Sequence, residues 1–267
     1  MGAATQVYAP SRAASGARRR RMRARATVAL ARLAVVGCMV AAWAITATLT
    51  TSIPSFGSTM TALADGFGEG WITEPLGSTL RGAFGGLALA ALVGLPLGAV
   101  LGRSRWARAT LDPLLAGAFV VPRVVLYPAL LGIFGIGLNA KLAMAALAAF
   151  FPIVLITAAA VRDVPERLVR VGRAYDCTRW QLARKIFLPA TAAPVVGAVR
   201  LAFSVAFVNV IIAELFASDT GLGVLVSQAY GQQDLPRMFA LVTLIFVIAL
   251  VVNMVLWASE RTLQSRL

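Results

Sequence analysis

The stretch Arg162–Pro189, RDVPERLVRVGRAYDCTRWQLARKIFLP, is the only long polar segment between the apolar runs of this chain. Seven of its residues are Arg or Lys. Basic residues accumulate on the cytoplasmic side of membrane proteins. The composition of this segment therefore predicts that it faces the cytoplasm.

Two helix starts lie within this segment. Asp163 and Pro165 indicate the first, because the fixed φ of proline suits a first helical turn and a carboxylate accepts unpaired backbone N–H groups. Thr178-Arg179-Trp180-Gln181 has the spacing of a capping box, which indicates the second. The segment therefore predicts two short helices joined by a turn at 176–177. Pro189 either stops the second helix or begins the next span.

The composition is that of a membrane protein. The chain has 267 residues, of which 59% are hydrophobic, and its mean hydropathy is +0.81, values far above those of a soluble domain. The net charge of +14 does not indicate a nucleic-acid partner, because the charges lie between the apolar runs and are explained by membrane topology. Cys38, in a predicted span, and Cys177, in a predicted inside loop, cannot pair across the bilayer. A chain with two cysteines and no histidine is not expected to hold zinc.

The apolar runs predict an all-α integral membrane protein with six transmembrane helices. A disordered basic tail at 1–26 is expected to meet anionic lipid headgroups in the cytoplasm. The run at 27–49 is long enough to cross a core of about 30 Å, although a cleavable signal peptide is the competing interpretation. The remaining predicted segments are an outside loop at 50–82, a core at 83–260 with spans near 83–102, 111–133, 142–161, 193–216 and 238–257, and a cytoplasmic tail at 261–267.

The distribution of charge predicts the orientation of these spans. With the amino terminus in the cytoplasm, 20 of the 25 Arg and Lys residues lie on inside segments. The reverse orientation would place those 20 residues outside, against the positive-inside rule. Both termini are therefore predicted to be cytoplasmic.

Small residues follow one face of the second predicted span. Gly94, Gly98 and Gly102 recur at four-residue spacing. Residues with this spacing share a helical face, and a glycine face lets a neighbouring helix approach closely. We expect another span to pack against this strip.

Three of the charged residues inside predicted spans are candidates for function, whereas Arg32 and Asp112 lie near the span ends. Arg123 is costly in the bilayer, so it either faces a water-lined cavity or a partner, or it snorkels or pairs structurally. Glu214, near an outer end, either contacts an outside partner or gate or forms a structural pair with another span. Arg200 lies about 21 Å from Glu214 along one straight helix, so these two residues cannot pair with each other. Arg123 and Arg200 would give a translocation path a cationic lining that suits an anionic solute.

The end of the polar segment carries a recognisable spacing. Ile186 is followed after one residue by Leu188-Pro189. The segment resembles the cytoplasmic "EAA" signature of permease subunits of binding-protein-dependent ABC importers, which is Glu-Ala-Ala, three residues, Gly, nine residues, Ile, one residue and Leu-Pro. Asp176 occupies the glycine position, a mild change because Asp tolerates a left-handed conformation. Arg170-Val171-Gly172 stands in place of the triplet, so the signature is incomplete.

The resemblance extends over about residues 75–260. The segments that are similar to the nitrate, sulfonate and taurine branch of these permeases are Pro122–Pro128, Phe134–Gly137, Phe150–Ile153, Ala213–Phe216 and Gly221–Gly223. It implies a MetI-like type I importer permease in the bacterial inner membrane. In such importers two permease subunits surround the translocation path, two ATPase subunits bind inside, and a solute-binding protein delivers the solute outside.

The resemblance also implies roles for individual residues. In the family the cytoplasmic loop is a coupling helix that docks on the ATPase, with Tyr175 and Trp180 here as its aromatic anchors. The candidate coupling residues are Arg170, Gly172, Arg173, Ala174, Tyr175, Asp176, Cys177, Thr178, Trp180, Ile186, Leu188 and Pro189. The candidate residues of the translocation path are Arg123, Tyr127, Arg200 and Glu214. An ordinary basic inside loop is the competing interpretation of the segment.

The chain has no G-x-x-x-x-G-K-[ST] phosphate loop, so the sequence predicts that ATP and Mg²⁺ bind in a partner subunit. An ion-gradient-driven transporter is an alternative, but it would favour inverted repeats and intramembrane acids, and the sequence has no evident repeat. A membrane enzyme lacks support because no nucleophile, base and metal constellation is evident. The solute stays open, because importers of riboflavin, pyrimidine precursors and aromatic acids share this pattern. A second copy of this chain is the expected partner permease, and a different permease is the alternative.

Overall fold

The computed structural model describes residue 34 and residues 37–38, 41–50 and 53–264. All regular secondary structure in these residues is helical. The chain divides into two units, residues 1–58 and residues 59–267. The predicted tail at 1–26 lies outside the described residues, and so does most of the predicted span at 27–49. Residues 41–49 of that span are helical and form α1.

The other helices are α2 (Phe56–Gly68), α3 (Thr73–Arg103), α4 (Arg105–Val120), α5 (Tyr127–Phe134), α6 (Leu138–Arg162), α7 (Glu166–Ala174), α8 (Arg179–Leu182), α9 (Leu188–Phe216), α10 (Leu222–Gly231) and α11 (Leu235–Gln264). Four of them, α3, α6, α9 and α11, are longer than the apolar runs predict. Much of the predicted outside loop at 50–82 is therefore helical. Hydropathy does not predict helix there, because this part of the chain contains many polar residues.

The core of the second unit forms where α3, α6 and α9 meet. Its buried residues are alanines, larger aliphatic residues and two phenylalanines: Ala83, Leu87, Ala90, Ala145, Ala149, Ile153, Ala202, Phe203, Ala206, Phe207 and Val210. Helices associate within lipid mainly through close van der Waals packing, because the lipid tails are as apolar as the side chains. The many alanines therefore allow the three helix backbones to approach each other.

The predicted glycine strip on α3 is confirmed and faces α6. A Cβ added at Gly98 would lie 2.7 Å from the carbonyl oxygen of Val154, and one added at Gly102 would lie 2.6 Å from that of Ala158. Such contacts with backbone atoms cannot be relieved by a side-chain rotation. The strip therefore determines how closely α3 and α6 pack.

The predicted third span is not one straight helix. A short 3-10 turn at Arg123–Leu126 separates α4 from α5, and the two halves of the span meet at 86°. Pro122 explains the break, because it lacks a backbone N–H and disfavours a helical conformation at Val121. Val121 accordingly has an extended conformation, with φ −61° and ψ 126°.

The described residues contain four helices that are long and apolar enough to cross a membrane: α3, α6, the helix at Arg179–Phe216 that includes α9, and α11. The bent pair at 109–134 makes five if it counts as one span. The total of six therefore stays a prediction, because most of the first predicted span lies outside the described residues.

Candidate functional site

The polar segment at 162–189 forms the two predicted helices, α7 and α8. The turn between them contains Asp176, whose φ of 51° is left-handed, as expected for Asp in the glycine position of the signature. The capping box is confirmed: the amide of Gln181 donates to Thr178 Oγ1, and the amide of Thr178 donates to Gln181 Oε1. The expected capping role of Asp163 is not seen, because its carboxylate lies 3.2 Å from Arg162 Nε instead.

The second short helix continues into the membrane without a break. A π-helical turn, Ala183–Phe187, connects α8 to α9, so the chain from Arg179 to Phe216 is one helix of 38 residues. Pro189 is the second residue of α9, directly after the π-helical turn, so it begins the span and does not stop the second short helix. A movement of α8 would therefore be transmitted directly along α9.

The inner face of the segment packs around one glycine. A Cβ added at Gly172 would lie 2.5 Å from a methyl carbon of Leu182 and 2.8 Å from one of Ile186. Gly172 and Leu182 are buried, and Ile186 is half-buried. The absence of a side chain at position 172 therefore lets α7 lie directly on α8 and the π-helical turn.

The outer face of the segment presents large side chains to the surroundings. Tyr175 is 81% exposed and Trp180 is 72% exposed. Leu168 and Val171 are also exposed and share a face of α7 with the start of the turn. Of the other predicted coupling residues, Arg170, Arg173, Ala174, Asp176, Thr178 and Leu188 are exposed, and Cys177, Ile186 and Pro189 are half-buried.

The structure does not gather the four candidate path residues into one site. Among the described residues, no hydrogen bond or ion pair joins any two of them. Arg123 lies at the bend after α4, where its guanidinium group packs 4.7 Å from the ring centre of Phe119 and donates to the Phe119 carbonyl at 3.0 Å. Its Nε atom is buried and has no hydrogen-bond acceptor. Tyr127 is buried, and its hydroxyl donates to the carbonyl of Ala217 at 2.7 Å, which connects α5 to the end of α9.

Glu214 forms an ion pair with another helix, which is the structural alternative that the sequence left open beside contact with an outside partner or gate. Its Oε1 lies 3.4 Å from Nζ of Lys141 on α6, and both side chains are fully buried. The hydroxyl of Thr79 on α3 and the amide of Gly223 on α10 donate to the Glu214 carboxylate, at 2.9 Å and 3.0 Å from Oε2. Lys141 Nζ also donates to Ser78 Oγ at 2.7 Å and to the Thr220 carbonyl at 2.8 Å.

Lys141 is the residue that the sequence interpretation missed. It lies three residues after the start of α6 and was counted only as a cation in a span or on the outer side. A lysine and a glutamate that both fall within apolar runs are a signal for an intramembrane pair, because each charge alone would be costly.

Arg200 forms an ion pair with Glu260 on α11, with 3.2 Å between Nε and Oε2. One turn further along α9, Ser204 Oγ accepts a hydrogen bond from Asn253 of α11 at 3.1 Å. A groove of about 480 Å³ between α9 and α11 is lined by Arg200, Ser204 and Asn253 and by the rings of Phe203 and Phe207, among other residues. The charge of Arg200 is thus offset within the chain.

Long apolar helices that pack through small residues, with a polar helical loop at one end, define a multi-pass helical membrane protein. Residues 94–267 match the family described as "Binding-protein-dependent transport system inner membrane component". The chain belongs to this family and is the permease subunit of an ABC importer in the inner membrane.

Individual relatives agree with this assignment. The chain is 31% identical to a riboflavin transport system permease protein of Chloroflexus aurantiacus, over 70% of this chain and 69% of the relative. It is 28% identical to the taurine transport system permease protein of Escherichia coli, over 74% and 72%. A chain of the methionine ABC transporter MetNI, solved in inward-facing conformations, has the same fold with a TM-score of 0.63 and 21% identity, over 70% of this chain and 93% of that chain.

Proposed function

We propose that this chain forms the translocation path for a small anionic solute and is driven through the loop at 162–189 by a separate ATPase that binds ATP and Mg²⁺. Two copies of the chain, two ATPase subunits and an extracytoplasmic solute-binding protein would make the working importer. One loop per chain requires two chains to engage two ATPases. The loop and both termini would then lie in the cytoplasm, as the distribution of basic residues favours.

The continuity of the helix from Arg179 to Phe216 is the observation that carries this proposal. The exposed ring of Trp180 lies in the first turn of this helix, and the exposed ring of Tyr175 lies in the turn just before it. The other end of the helix reaches Glu214 in the buried network. An ATPase that closes on ATP and holds these rings would pull on α8 and tilt α9. Such rigid-body movement is a common route between two transport states.

The size of the solute and its charge follow from different observations. The relatives are named for riboflavin and taurine, which are both small solutes. An anion is favoured by Arg123, because no carboxylate of the described residues forms an ion pair with it. Arg200 supports the anion less than the sequence suggested, because Glu260 offsets its charge.

The coupling role is tested by replacing both rings, Tyr175→Ala with Trp180→Ala, in the full-length chain. Aromatic anchors dominate many docking surfaces, so we expect the ATPase no longer to co-purify and ATP-dependent uptake to be lost. Tyr230→Ala is the matched control for co-purification, because Tyr230 is 71% exposed but lies on α10, far from the loop in sequence. Undiminished ATPase binding and uptake in the double variant would contradict the docking role.

A further inference from the structure

A basic cavity lies beside the loop, where three helices converge. It has a volume of about 490 Å³ and is lined by Arg103, Arg173, Arg179, Leu182 and Ala183. Arg103 is the last residue of α3, Arg173 is near the end of α7, and Arg179 begins α8. Arg173 and Arg179 lie six residues apart in the loop, but Arg103 comes from a distant part of the sequence, so no local pattern marks the whole cavity.

The charges of these three arginines are not balanced by the chain. Among the described residues, no carboxylate forms an ion pair with any of the three guanidinium groups. The guanidinium group of Arg103 packs 4.4 Å from the ring centre of Phe187, which fixes its position beside the cavity. Glu166 lines an adjoining cavity that Arg103 and Arg173 share, yet it forms no ion pair with either. Three cations that line one cavity repel each other unless an anion lies between them.

The place of the cavity identifies the kind of anion. α3 has 31 residues, which corresponds to about 46 Å and exceeds the apolar thickness of a membrane. Its final residue, Arg103, therefore lies at the level of the lipid headgroups. Phe187 lies at the point where the exposed α8 passes into the span α9. Basic cavities at this level, between spans on the cytoplasmic side, suit the phosphate of an anionic lipid.

We propose that the cavity of Arg103, Arg173 and Arg179 binds the phosphate group of an anionic phospholipid from the cytoplasmic leaflet. The assignment of this leaflet rests on the orientation in the proposed function. Guanidinium groups suit this ligand because they donate two parallel hydrogen bonds to phosphate oxygens. The lipid connects the end of α3 to α7 and α8, so it holds the loop at a fixed angle to the membrane helices.

The experiment compares lipid binding by two variants of the full-length chain that each lose three charges. The cavity variant is Arg103→Gln, Arg173→Gln and Arg179→Gln. The matched control is Arg167→Gln, Arg184→Gln and Lys185→Gln, which removes the same amount of charge from loop residues that do not line the cavity. Each protein is titrated with phosphatidylglycerol in phosphatidylcholine nanodiscs, and bound lipid is counted by native mass spectrometry.

We expect the cavity variant to lose affinity for phosphatidylglycerol by on the order of a hundredfold or more, because charge-assisted hydrogen bonds to the phosphate are lost at three positions. The control should stay within about fivefold of the unaltered chain, because its charges act only through the general surface potential. Equal losses in both variants, or no loss in either, would overturn the proposal. Arg103→Lys keeps the charge, so it should lose less affinity than Arg103→Gln, which distinguishes an effect on the site from a loss of folding.

A second arm distinguishes the lipid from a free anion. The unaltered chain in phosphatidylcholine nanodiscs is titrated with inorganic phosphate and with sulfate. Binding of either ion as tight as that of phosphatidylglycerol would overturn the assignment to lipid. The test does not involve ATP or solute, so a failed coupling experiment and a failed lipid experiment are separate results.

Discussion

Nζ of Lys141 and Oε1 of Glu214 lie 3.4 Å apart, and both side chains are fully buried. The pair connects α6 to α9, and the hydrogen bonds of Thr79 and Gly223 add α3 and α10. The carboxylate thus has an opposite charge and two donors. The pair therefore fixes four helices at the end of the bundle that lies away from the loop.

Breaking this pair from one side should destabilise the protein strongly. Lys141→Met leaves the Glu214 carboxylate buried without an opposite charge, and we expect the free energy of unfolding to fall by about 3–5 kcal/mol. Adding Glu214→Gln should restore part of the loss, because no charge is then left buried. The free energy of unfolding is measured by reversible unfolding in detergent for the unaltered chain, for Lys141→Met and for the double variant.

The exposed pair of Arg162 and Asp163 provides the control. Its side chains are 47% and 71% exposed, so Arg162→Gln should change the free energy of unfolding by less than about 1 kcal/mol. A Lys141→Met protein as stable as the Arg162→Gln protein would show that the buried pair does not hold the helices.

Gly223 should tolerate no side chain. A Cβ at this position would lie 2.7 Å from Cβ of Glu214 and 2.7 Å from the Ile211 carbonyl oxygen. Gly223→Ala therefore pushes α10 away from α9, and we expect a loss of about 1–3 kcal/mol, typical of overpacking. Thermal unfolding of the purified chain checks this.

Gly231 is the matched control at the other end of α10. A Cβ there meets nothing within 4 Å, so Gly231→Ala should be neutral or slightly stabilising, as alanine favours a helix over glycine. Equal melting temperatures for the two variants would mean that the close contact at Gly223 is relieved without cost.

The orientation of the chain can be measured by cysteine labelling. Cys177 lies in the loop and is half-buried. In a Cys38→Ser background, we expect a membrane-impermeant maleimide to label Cys177 in inside-out vesicles and not in intact cells. Gln232→Cys, combined with Cys38→Ser and Cys177→Ser, should show the reverse pattern, because exposed Gln232 follows α10 at the opposite end. Labelling of Cys177 in intact cells would reverse the predicted topology.

Features that depend on short spacings could be predicted from the sequence. The glycines at 94, 98 and 102 recur at the period of one helical face, and Thr178 lies three residues from Gln181. In each case the spacing along the chain is enough to determine which groups lie together. The start of α3 is predicted less accurately: the helix begins at Thr73, whereas the predicted span begins near residue 83. Hydropathy detects the apolar centre of a span and not the polar turns that extend it.

Features that join distant residues could not be predicted in this way. Lys141 and Glu214 lie 73 positions apart, and nothing in either neighbourhood specifies the other. The same holds for Arg200 and Glu260, where α9 alone suggested a free cation. Glu214 and Arg200 are both candidates for the translocation path on sequence grounds, and each pairs with a residue of another helix. Burial of a charge was predictable, but the choice of its partner depends on how the helices pack.

The contrast between Arg123 and Arg200 gives a test of the anionic solute. The charge of Arg123 is not offset by an ion pair with the described residues, whereas Arg200 is paired with Glu260. An unpaired cation concentrates anions by about tenfold or more. Arg123→Gln should therefore slow uptake of anionic solutes such as nitrate or an alkanesulfonate by about tenfold relative to riboflavin, and Arg200→Gln should leave this preference unchanged.

The measurement is ATP-dependent uptake into proteoliposomes that contain the permease, its ATPase and its solute-binding protein, with each solute tested in turn. Arg123→Lys is the control for charge, because a lysine keeps the cation near Phe119 but loses the planar group. It should retain most of the preference for anions if attraction of the solute is the main role of the residue. An equal effect of Arg123→Gln and Arg200→Gln on every solute would instead assign Arg123 to helix packing at the bend, where it already donates to the carbonyl of Phe119.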